Sequence, residues 1–64
     1  MTKKFMAEEI LQNSTTRGVS ETRFYKNVEK RPKEWLERAY NYVMNSNSEK
    51  ERILNANFVV QFLR

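Results

Sequence analysis

The chain has 64 residues, 31% of them charged and 39% hydrophobic, with a formal net charge of +4 at pH 7. A chain of this length makes one domain, residues 1–64, whose core buries only about 60% of the unfolded surface. With no Cys, His or Asp in the sequence, a disulfide framework is excluded. The usual ligands of a structural zinc site and most nucleophile and general-base arrangements are missing too, so no enzymatic role, metal or cofactor is expected.

In chain order, Phe5, Met6, Ile10 and Leu11 recur at near-helical spacing with Glu8 on the other face, which predicts a first helix over roughly residues 3–14. Asn13 to Thr16 are better cap and turn residues than helix-interior ones and close it. Arg17-Gly18-Val19-Ser20 reads as a tight turn, with Gly18 free to take positive φ and Ser20 as the N-cap of the next helix. That second helix, about 21–30, buries Phe24 and Val28 with Tyr25 at its edge and turns Thr22, Arg23, Lys26 and Lys30 outward.

Pro32 suits the first turn of a third helix and biases Arg31 away from helical geometry, which separates the second and third helices. The third, residues 32–45, carries an apolar stripe of Trp35, Leu36, Ala39, Tyr40, Val43 and Met44, widened by Tyr42. Glu34, Glu37, Arg38 and Asn41 form its solvated side. Asn45 to Ser48 is a loop, and Ser48-Glu49-Lys50-Glu51 matches a capping box that starts a fourth helix running to the C-terminus. The β-branched and aromatic stretch 58–63 would also suit a strand. The strong cap and the lack of a second strand favour helix. The expected fold is all-α, a small bundle of three to four short helices around Trp35, Leu36, Tyr40, Phe58 and Phe62, containing a helix-turn-helix-like element.

The charge is not evenly spread. Residues 17–33 hold six basic side chains (Arg17, Arg23, Lys26, Lys30, Arg31, Lys33) against Glu21 and Glu29, a net +4, and the remaining residues carry six of each sign. A localised cationic window beside a turn and a helix is the electrostatic footprint of a small nucleic-acid reader. Within it, Gly18-Val19-Ser20, then Phe24-Tyr25, then Val28, followed by Lys33-Glu34-Trp35-Leu36, resembles the turn and recognition helix of TetR-type helix-turn-helix regulators. The resemblance covers residues 17–36 and implies the reading module alone, without a ligand-binding domain.

It further implies a recognition helix in the major groove. Thr22, Arg23, Lys26 and Asn27 would then face bases, and Arg17, Tyr25, Lys30, Arg31 and Lys33 would hold phosphates. The expected partner is therefore duplex DNA. The alternative is an acidic protein surface, met by a small inhibitor or adaptor of the kind phages and mobile elements encode. On the last helix, Phe58 and Phe62 are assigned to the core, which leaves Val59, Val60 and Leu63 as a surplus apolar face for a partner, a homodimer being the commonest solution. No stretch reaches the ~20 apolar residues that span a bilayer, and no apolar run follows Lys3-Lys4 as a secretory signal requires. A cytoplasmic, non-membrane protein is expected.

Overall fold

The computed structural model describes residues 1–15 and 21–64. They form four helices, α1 (Lys3–Asn13), α2 (Glu21–Glu29), α3 (Lys33–Met44) and α4 (Glu49–Leu63), and no strand is present among the described residues. The chain is all-α, as the periodicity predicts. The expected turn at Arg17-Gly18-Val19-Ser20 lies outside the described residues.

Local chemistry accounts for each boundary. The Thr2 hydroxyl accepts from the Phe5 N–H at 3.0 Å and caps α1. The Ser48 hydroxyl accepts from the Glu51 N–H at 3.1 Å, so the Ser48–Glu51 cap forms as its spacing requires. Pro32 stands one position earlier than expected. It is extended, with φ −61° and ψ 149°, and its carbonyl accepts the Trp35 and Leu36 N–H groups at 3.0 and 3.2 Å. The Ser46 hydroxyl donates to the Val43 carbonyl at 2.7 Å and accepts from the Asn55 amide at 2.9 Å, which fixes the α3–α4 turn.

Helix α1 is the hub, packing against α2, α3 and α4, while α4 also packs against α3 and α2. The core is drawn from one face of each helix: Met6, Ala7 and Ile10; Phe24 and Val28; Leu36, Ala39 and Val43; Ala56, Val59, Val60 and Leu63. Three alanines in that set let helix axes approach closely. The Cα envelope measures 29 × 26 × 16 Å, and its thin dimension holds two helix layers at the usual 8–10 Å separation. The chain exposes 4553 Å², close to the roughly 4,400 Å² of a folded monomer of its mass, so its packing is complete without a partner.

This core differs from the expected one on α4. Leu36 is central as anticipated, and Trp35 and Tyr40 are half-buried around it. Phe58 and Phe62 face outward, and Val59, Val60 and Leu63, the expected partner surface, are buried in the chain's own core. Two apolar stripes share α4, and only one can point inward. The stripe containing Ala56, Val60 and Leu63 has the smaller side chains and fits close against α1. The bulkier stripe of Leu54, Phe58 and Phe62, spaced four residues apart, is turned out.

A long-range polar clasp holds the end of α1 to α4. The Asn57 side-chain oxygen accepts from the Ser14 hydroxyl at 2.6 Å and the Thr15 N–H at 2.8 Å, and its amide donates to the Thr15 hydroxyl at 3.1 Å.

Candidate nucleic-acid interface and an aromatic groove

Nine residues of the cationic window were expected to touch nucleic acid, and the structure sorts them into three groups. Thr22, Arg23, Lys26 and Lys30 are exposed on the outer side of α2, and Lys33 is exposed at the first residue of α3. Lys3 of α1 reaches the end of α2, where its ammonium donates to the Glu29 carbonyl at 3.1 Å. A cation there complements the negative end of the helix dipole and adds to the positive field on this side. Glu29 also lies on this exposed side, so the face is cationic but not unbroken.

The second group is turned to other work. Asn27 donates its side-chain amide to the Leu63 carbonyl, capping the last turn of α4 instead of reaching outward. Tyr25 is half-buried against Phe24, ring centroids 5.2 Å apart and edge to face. Burial pushes its phenol above the usual 10.0, with the charges of Glu8 and Glu21 adding to the effect. A phenol beside two carboxylates is a poor phosphate ligand. Arg31 sits over the Trp35 and Phe62 rings, its guanidinium carbon 4.8 Å from each centroid. The third group is Arg17 alone, which lies outside the described residues.

The connection between α1 and α2 spans the seven residues 14–20, longer than the 3–4-residue turn of a helix-turn-helix. No known protein family matches the chain, and no curated protein or solved structure is significantly similar to it. Among the described residues no group of acidic side chains is placed to hold a metal ion, and no helix is long and apolar enough to cross a membrane.

A second surface lies between α3 and α4. It is a groove of about 400 Å³ with Ala39 and Val59 at its floor and Trp35, Tyr42, Phe58 and Phe62 as walls. Trp35 and Phe62 stack with centroids 5.6 Å apart and planes 23° from parallel. Phe58 is 65% exposed, Leu54 58%, Phe62 54% and Tyr42 51%. Arg38 lines the groove, and Arg31 covers the Trp35–Phe62 stack. Sequence reasoning placed Trp35, Phe58 and Phe62 in the core and missed this surface. The signal that marks it is the four-residue recurrence of Leu54, Phe58 and Phe62 beside a stripe that already contains Ala56.

Proposed function

We propose that the protein is a small DNA-binding regulatory protein that meets duplex DNA with the outer face of α2. The observation that carries this reading is the joint exposure of Thr22, Arg23, Lys26 and Lys30 on one side of a short helix. A helix 10–12 Å across fits a major groove about 12 Å wide. Arg23 and Lys26 are the side chains suited to guanine edges, and Thr22 to either base type. Lys30, Lys33 and Lys3 supply phosphate contacts. With Asn27, Tyr25 and Arg31 engaged elsewhere, few groups remain to read bases, so charge dominates affinity and sequence discrimination is modest.

About four phosphate contacts predict a slope of roughly −3 to −4 in log affinity against log salt, or about a 100-fold loss between 50 and 200 mM. Fluorescence anisotropy with a labelled duplex at several salt concentrations measures it. Arg23→Ala/Lys26→Ala should weaken binding and flatten the slope by about 2. No binding at low salt would remove the DNA reading and leave the rival, an inhibitor or adaptor docked on an acidic protein. Binding that ignores the double substitution would remove α2 as the contact face.

A further inference from the structure

We propose that the aromatic groove of α3 and α4 seats a second copy of this chain, through a two-fold antiparallel pairing of α4 centred on Phe58. The inference is independent of the DNA reading, since it rests on a different face and its test contains no nucleic acid.

Self-complementarity is the first ground. Leu54 and Phe62 lie four residues to either side of Phe58, and all three are more than half exposed along the outer side of α4. A two-fold axis at Phe58 therefore sets Leu54 of each protomer against Phe62 of the other. A two-fold interface must be complementary to itself in this way.

Shape is the second ground. The groove beside the stripe has a floor of Ala39 and Val59 and a volume of about 400 Å³. A cavity of about 150 Å³ accepts a benzene ring, so the groove has room for an aromatic side chain from the partner copy. Its walls are Trp, Tyr and Phe flanked by Arg, the residue types that dominate the energetics of protein interfaces.

Charge is the third ground, and it favours a second copy over a foreign helix. Glu51 lies three residues before Leu54 on the same side of α4 and is exposed. At the other end of the stripe Arg31 covers Phe62. Antiparallel pairing brings the acidic end of one stripe to the basic end of the other, twice.

The face is small. Helix α4 has 15 residues and is about 22 Å long, and the α3–α4 face is about two helix diameters wide. That is on the order of 400 Å², half of the ~800 Å² that each partner contributes to a standard interface. The pairing is therefore weak and reversible, with a dissociation constant in the micromolar range or above.

Sedimentation equilibrium from low micromolar to near-millimolar chain tests it. The expected result is a mass rising from 7.8 kDa toward twice that value. Phe58→Asp should remain monomeric throughout with an unchanged helical circular dichroism spectrum, because Phe58 contributes little to the core. The register has its own probe in a chain without cysteine. Phe58→Cys should oxidise to a disulfide-linked dimer, whereas Lys50→Cys, eight residues from the axis, should do so far more slowly. A wild-type chain that stays monomeric up to near-millimolar concentration would overturn the proposal, as would a dimer that survives Phe58→Asp. Equal cross-linking at positions 58 and 50 would overturn the antiparallel register.

Discussion

Asn57 shows how much one polar side chain can hold in a chain this small. It ties Ser14 and Thr15 to α4 across more than 40 residues of sequence. Asn57→Ala should cost about 1–2 kcal/mol and lower Tm by roughly 4–8 °C per kcal/mol, measured by thermal circular dichroism. Asn57→Asp keeps the accepting oxygen and should lose less. Tyr25 makes a pH prediction. Its phenol is held above 10.0 in the folded chain, so the folded state retains that proton where the unfolded state has released it. The stabilising contribution is complete below pH 10 and is lost as pH rises through the folded value. Tyr25→Phe should therefore reduce the fall in urea midpoint between pH 9 and 11, leaving the midpoint near neutrality much less changed. The clasp and the Tyr25 environment were not legible in the sequence, because each is made by residues from different helices. Phe24 and Val28 were legible, because four-residue spacing on a polar helix leaves one way to bury them.

The four helices were legible because each carries its own start signal and its own apolar period. Ser48 followed by Glu51, Pro32 before Trp35-Leu36, and Thr2 before the first apolar pair act within one turn of chain, where sequence distance and spatial distance agree. Ser48→Ala should cost about 1 kcal/mol and lower Tm without altering the mass or the DNA response. The inward face of α4 was not legible, because that helix has two apolar stripes of similar strength. Residue hydrophobicity favours Phe58 and Phe62 for the core, while close helix packing favours Ala56, Val60 and Leu63. Packing prevails in a bundle only two layers thick. Val60 is fully buried, so Val60→Glu should abolish the cooperative thermal transition, whereas Phe58→Asp leaves it in place. Thermal circular dichroism of the two variants separates core from surface on a single helix.

The whole molecule divides into two working faces on one small core. For 64 residues, a stability of 0.05–0.15 kcal/mol per residue amounts to about 3–10 kcal/mol. Leu36→Ala, at 2–5 kcal/mol, would remove much of that, so both faces stand on a narrow margin. If the cationic and aromatic faces act together, pairing through α4 presents two α2 helices to one duplex, and Phe58→Asp should weaken DNA binding although it touches no cation. The connectivity of α1 also has a consequence in time. Helices α3 and α4 are joined by the four residues 45–48, so their hairpin closes a short loop, and short loops close first. Docking α1 onto α4 must close a far longer one. The aromatic face belongs wholly to the hairpin, whereas α2 is held in place by α1. Pairing between copies can therefore begin on a half-folded chain, before the cationic face exists, and in a crowded refolding mixture concentration should change the folding rate as well as the final mass.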